Sequence, residues 1–196
     1  MKKAKVTRLT ILQKAYDLIY LNGYQTTSID DILATTVVTK GAFYYHFKNK
    51  DEMGIAIIIE ILKPEFINRI ELIFKEYTDP VEALYTMIDD LLSRHDLMKP
   101  QQGCPLSNFI QELVPKNKAF TKVLNELTED WKMILIRNIE KGKETGIMNA
   151  DIHAESAALF IISGYWGIRN FGRMENGKII YQTYLKELKK YLSSFR

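Results

Sequence analysis

The chain has 196 residues, 46% of them hydrophobic and 26% charged, the proportions of an ordinary globular protein. Its strongest apolar run, Gly54 to Leu62, is interrupted by Glu60 and falls short of the roughly 20 residues that a membrane span needs, so no membrane partner is expected. The single cysteine, Cys104, excludes an internal disulfide and fits a reducing cytoplasm, and no apolar signal-peptide core follows Met1-Lys2-Lys3-Ala4-Lys5.

The net charge of +3 is unevenly spread: residues 1–50 carry +5 and the remainder −2. A basic head on a slightly acidic body suits a polyanionic partner; a solvated basic tail accounts for the charge equally well.

Residues 6–22 read as a helix, with Leu12, Ala15 or Tyr16, and Ile19 recurring at three and four. Asn22-Gly23 ends it. Thr26-Thr27-Ser28 supplies hydroxyl caps for a short helix at about 28–35, with Asp31 in its acidic first turn. Thr39 caps a third short helix, about 39–45, after a turn at Thr35-Thr36-Val37-Val38. Two short helices braced by a longer one make a helix-turn-helix unit. Asn49, with Glu52 at the capping-box position, starts a fourth helix running to about Phe74, with a kink or break near Pro64. Lys2, Lys3 and Lys5 suit a mobile basic arm.

Asp79-Pro80-Val81-Glu82 opens a helix of about 80–98 with Leu84, Ile88, Leu91 and His95 on one face. Pro100 to Pro105 is a loop, and Leu106 to Val114 a short helix. Asn117 to Lys143 is a long helix that Gly146 ends. Asp151 caps the next, which runs to about Phe171. Gly172 to Gly177 connects to a final helix, about 178–194. No stretch alternates as a strand. The reading is all-α, about nine helices.

Residues 8–53 resemble the DNA-binding domain of TetR-family transcriptional regulators. The similarity is carried by the basic residue and Ile-Leu of the first helix, the glycine after it, the Thr-Thr-Ser start of the second, and Thr39-Lys40-Gly41-Ala42-Phe43-Tyr44-Tyr45-His46-Phe47-Lys48-Asn49-Lys50. One departure stands out. The family's usual Ala-Gly-Val before the recognition helix is here Thr36-Val37-Val38, and a β-branched residue is poor at positive φ. The turn either takes another conformation or is strained.

The resemblance implies a DNA-binding domain at 1–50 and a ligand-binding and dimerisation domain at 51–196. It implies contacts to double-stranded operator DNA from Thr26, Thr27, Ser28, Thr39, Lys40, Gly41, Ala42, Tyr44, Tyr45, His46 and Lys50, with Phe43 and Phe47 as core. Gly41 and Ala42 present a small face to the bases, and the hydroxyls, cations and imidazole suit bases or phosphates. A two-fold homodimer is implied, with Gly164, Gly167, Tyr184 and Leu188 as candidates for its face. A small-molecule effector is implied for the body. Met87, Met98, Phe109, Trp131, Tyr165 and Trp166 are candidates to line its site, with Phe120 and Met133 in the same soft, aromatic set and His95, Asp89 and Asp90 as polar additions. Each of these is equally at home in an ordinary core. The implied function is a repressor released by an inducer. An activator, a Cys104 thiol or electrophile sensor on the same fold, and a helical adaptor without DNA binding are the alternatives. No catalytic triad order, metal-ligand spacing or phosphate loop is seen, so no enzyme activity, cofactor or metal is expected.

Overall fold

The computed structural model describes residues 2–93, 99–174 and 177–196. Among them run α1 (Lys2–Asn22), α2 (Ile29–Ala34), α3 (Lys40–His46), α4 (Lys50–Ile57), a π turn (Ile58–Leu62), α5 (Lys63–Glu76), α6 (Pro80–Ser93), a 3-10 turn (Pro100–Gln102), α7 (Pro105–Leu113), α8 (Lys118–Glu144), α9 (Ala154–Met174) and α10 (Gly177–Ser193). The π turn joins α4 to α5 without a break. The described residues therefore form nine helical rods and no strand, as the sequence pattern predicts.

The chain divides into two compact units, one of Met1–Phe66 with Asn108–Glu126, the other of Ile67–Ser107 with Leu127–Arg196. In the first, α1 buries Ile11, Leu12, Ala15, Tyr16 and Ile19 along one face, against a core that includes Ile32, Phe43, Phe47, Met53 and Ile57. Arg8 ties three helices together. It donates to the His46 carbonyl at the end of α3 (3.0 Å), lies over the Phe47 ring (4.3 Å) and pairs with Glu60. Gly23 closes α1 at φ +92°, its N–H donating to the Ile19 carbonyl (2.8 Å) in the left-handed cap that glycine favours.

Pro64 acts on this part of the chain in a specific way. Proline has no N–H and its ring crowds the carbonyl four residues back. The helix answers by widening just before it: the Lys63 N–H reaches back five residues to the Ile58 carbonyl, and the π turn absorbs the conflict.

In the second unit, α6, α8, α9 and α10 bury stripes of Leu84, Ile88 and Leu91; Leu127, Trp131 and Ile134; Ala158, Ile161 and Tyr165; and Tyr181, Leu185 and Leu188. Arg69 grips the buried carboxylate of Asp90 with two parallel hydrogen bonds, so Asp90 is neutralised by an ion pair. Gly146, at φ +71°, ends α8. Its N–H donates to Lys143 and the next N–H to Gly142, the paired bonds of a Schellman cap.

Three boundaries differ from the sequence expectation. Lys2, Lys3 and Lys5 belong to α1 rather than to a mobile arm, since Lys-Lys-Ala-Lys is a strong helix former. The α9 cap is His153, whose Nδ1 accepts from the Ser156 N–H (3.2 Å), and not Asp151. Gly172 does not break α9. It lies inside the helix, where any Cβ would collide with the Tyr181 hydroxyl, so it is a close-approach glycine.

Candidate nucleic-acid interface

Local capping sets the two short helices. Ser28 forms a complete capping box on α2: its hydroxyl oxygen accepts from the Asp31 N–H (3.1 Å), and Asp31 accepts from the Ser28 N–H (2.8 Å). Thr39 Oγ1 accepts from the Ala42 N–H (3.2 Å) and starts α3. Asn49 Oδ1 accepts from the Glu52 N–H (2.8 Å) and starts α4.

The turn between α2 and α3 is held by threonine hydroxyls instead of by a glycine. Thr35 donates to the Ile32 carbonyl (2.8 Å) and Thr36 to the Leu33 carbonyl (3.1 Å), while Thr36 Oγ1 accepts from the Val38 N–H (3.1 Å). No described non-glycine residue has positive φ. Thr36-Val37-Val38 therefore takes the other conformation, without strain.

α3 offers a polar, open face. Phe43 and Phe47 are buried, as expected, and Thr39, Lys40, Gly41, Tyr44 and Tyr45 are exposed. A Cβ added at Gly41 would meet nothing within 4 Å, so the small face is free for close approach. Ala42 is half-buried beside it. Tyr45, 78% exposed, carries its ring edge-to-face with half-buried His46 (4.9 Å). Lys40 is paired in the free protein: its Nζ lies 2.8 Å from Asp30, and that carboxylate holds the lysine pKa above its usual value. An anion that takes Lys40 must compete with Asp30. Asp30→Asn is therefore expected to tighten binding to a specific duplex by about fivefold at low salt, a gain that shrinks as salt rises. Fluorescence anisotropy against salt checks it, and weaker binding by the variant would contradict it.

Four predicted contact residues are committed within the chain. Thr27 is buried, its hydroxyl donating to the Gly23 carbonyl (2.8 Å), so it is a structural residue and not a surface contact. Thr26 is exposed but donates to the Asn22 and Gly23 carbonyls. Ser28 is exposed, with its hydroxyl hydrogen-bonded within the capping box. Lys50 lies over the Tyr24 ring (4.4 Å), and partial burial pushes its pKa down. Tyr24 anchors that corner. Its hydroxyl donates to Asp51 (2.6 Å), its N–H and that of Gln25 donate to Glu112 (3.2 and 3.0 Å), and burial holds the phenol well above its usual pKa.

The candidate effector residues fall in both units. Phe109 packs against Tyr24 in the first unit (6.2 Å), and Phe120 does the same edge-on (5.3 Å). In the second unit Trp131 meets Tyr165 (5.5 Å) and Trp166 (6.3 Å). Trp131, Tyr165 and Met87 are fully buried as core. The Trp166 indole N–H is buried and has no acceptor among the described residues. Met133 is exposed and lines an open groove of about 720 Å³ between the flanks of α8 and the segment leading into α9. Asp89 is half-buried; Met98 and His95 lie outside the described residues. Cys104 is buried, and burial pushes its thiol up, away from the thiolate that an electrophile sensor needs.

Of the dimer candidates, Leu188 is buried in its own unit, and the space beside Gly164 is taken by the half-buried Tyr184. Burial of this phenol pushes its pKa up to about 12. Gly167 alone is open. Around it α9 exposes Phe160, Ser163, Phe171 and Met174, a stripe at three- and four-residue spacing that the sequence pattern did not separate from the core.

Comparison with known proteins agrees with this architecture. Residues 11–57 match the family model described as bacterial regulatory proteins, tetR family, and residues 80–187 match the tetracyclin repressor-like C-terminal domain. The chain is 35% identical over 136 residues to an HTH-type transcriptional regulator encoded in the lacX 3′ region of Lactococcus lactis, covering 68% of each protein. It is 26% identical over 160 residues to the HTH-type transcriptional repressor DhaR of Mycobacterium sp. strain GP1, covering 82% of this chain and 79% of that one. A solved TetR-family regulator from Cytophaga hutchinsonii has the same fold, with a TM-score of 0.89 at 22% identity over 100% of this chain and 98% of that one.

Proposed function

The chain belongs to the tetR family of bacterial regulatory proteins, DNA-binding transcriptional regulators, and on that premise we propose that it is a repressor. In this reading it binds a two-fold symmetric operator as a homodimer, with 1–50 reading DNA and 51–196 pairing the protomers and taking a small-molecule effector that releases them. The observation that carries the reading is α3. A capped helix with a small open face at Gly41, flanked by Thr39, Lys40, Tyr44 and Tyr45, suits entry into a major groove, with the His46 ring at its far end. The exposed α9 stripe of Phe160, Gly167, Phe171 and Met174 supports pairing about a two-fold axis. The buried, acceptor-free indole of Trp166 supports an effector bearing a hydrogen-bond acceptor. No described helix is long and apolar enough to cross a membrane. Work in the cytoplasm, where operator and effector meet, completes the reading.

Selection from a random duplex pool with purified protein tests it. The expected result is an enriched site of two inverted half-sites centred about 34–36 Å apart. Folded protein that enriches no site would overturn the reading.

A further inference from the structure

Val37 is unusual among the surface residues of the head. Its side chain is fully exposed and packs against no described residue. Along residues 25–50 the other exposed side chains are polar, tyrosine, alanine or glycine, and Val37 is the aliphatic one larger than alanine. The fold does not need it there. The turn is held by the hydroxyls of Thr35 and Thr36, and its backbone stays out of the left-handed region. A glycine, which the resembled pattern carries at this point, would leave the same turn without a contact group.

The position gives the side chain a use. Val37 lies two residues before Thr39, the cap of α3, and so at the N-terminal end of that helix. A recognition helix reads base edges from its N-terminal end. In the major groove the apolar feature on offer is the 5-methyl group of thymine, and a small aliphatic side chain is its natural partner. A valine has one stiff side-chain torsion, so little freedom is lost when it is covered. Neighbouring Thr39 carries one methyl, but its hydroxyl is engaged as the cap of α3, and Lys40 is drawn to Asp30; Val37 alone of the three has neither a polar group nor a partner to satisfy.

We propose that Val37 is a specificity-determining residue that packs against a thymine methyl in each operator half-site. This deepens the operator-binding reading and rests on it.

The test uses the full-length protein and the site selected from the random pool. Each thymine is replaced in turn by uracil, which deletes the methyl and leaves base pairing intact. Binding is measured by fluorescence anisotropy for the native protein, Val37→Ala and Val37→Thr. Neither change is expected to alter the thermal melt, because Val37 packs on nothing. The expected result is one thymine position per half-site at which uracil weakens native binding about fourfold singly and about tenfold or more in both halves. Val37→Ala should bind the thymine site as weakly as the native protein binds the uracil site, and should be indifferent to that replacement. Val37→Thr, which keeps the branched shape but trades a methyl for a hydroxyl, should fall between. If no uracil position weakens native binding, or if its penalty persists unchanged in Val37→Ala, the proposal is overturned while operator binding stands. If the native protein selects no site, the operator reading itself fails and takes the proposal with it.

Discussion

Protein carrying Lys40→Ala together with Tyr44→Ala is expected to lose about a hundredfold or more in affinity for its selected site. Both side chains are exposed on α3, Tyr44 resting its ring edge-on against the neighbouring Phe43 (5.4 Å) and Lys40 pairing with exposed Asp30, so the head should fold normally without them. A two-fold complex loses each contact twice. Removing one cation per protomer should also lower the slope of log affinity against log salt by about two, since that many fewer counterions are released. The affinity and the salt slope therefore test different things. A drop in affinity with an unchanged slope would place Lys40 on a base and not on a phosphate. No change in either would mean that α3 is not the reading helix, whatever the family resemblance.

How much of this was legible beforehand follows the range of the interactions. Caps are local, and Ser28, Thr39 and Asn49 start their helices as their neighbours in sequence predict. Apolar spacing is local too, so the nine rods and the burial of Phe43 and Phe47 were readable. What a local reading does not show comes from partners far away in sequence. Lys50 looks like a free cation until Tyr24, 26 residues earlier, is found beneath it. Phe109 and Phe120 look like cavity walls until they are seen on the same tyrosine. Gly172 looks like a helix end until Tyr181 is packed on it. The Thr36-Val37-Val38 turn is a different case. Its signal lies in the two threonines, whose hydroxyls bond nearby backbone and do the work of the missing glycine. At Pro64, where a kink or break is expected, the helix continues, because a proline disturbs the turn before it and the widening falls on Ile58–Leu62.

Trp131→Ala is the substitution expected to cost the second unit most. The indole is fully buried on α8, edge-on to Tyr165 and close to Trp166, and it is among the largest side chains wholly removed from solvent. Truncating a buried tryptophan costs about 3–5 kcal/mol through lost burial and the cavity left behind, and the broken aromatic pairs are part of that loss. Against a total stability on the order of 5–15 kcal/mol, this is a large share, and the melting temperature should fall by roughly 10 °C. Trp131→Phe keeps an aromatic ring and should cost much less. The pair of variants separates the two roles that the sequence left open. A residue that chiefly walls an effector site faces empty or wet space, and its truncation changes ligand response while costing little stability. A residue packed on all sides does the reverse. Calorimetric melts showing a large loss for alanine and a small one for phenylalanine would make Trp131 a core residue that shapes the effector site only through Tyr165 and Trp166. A melt within about 1 kcal/mol of the native protein would return it to the cavity wall, because a tightly packed indole cannot be removed so cheaply.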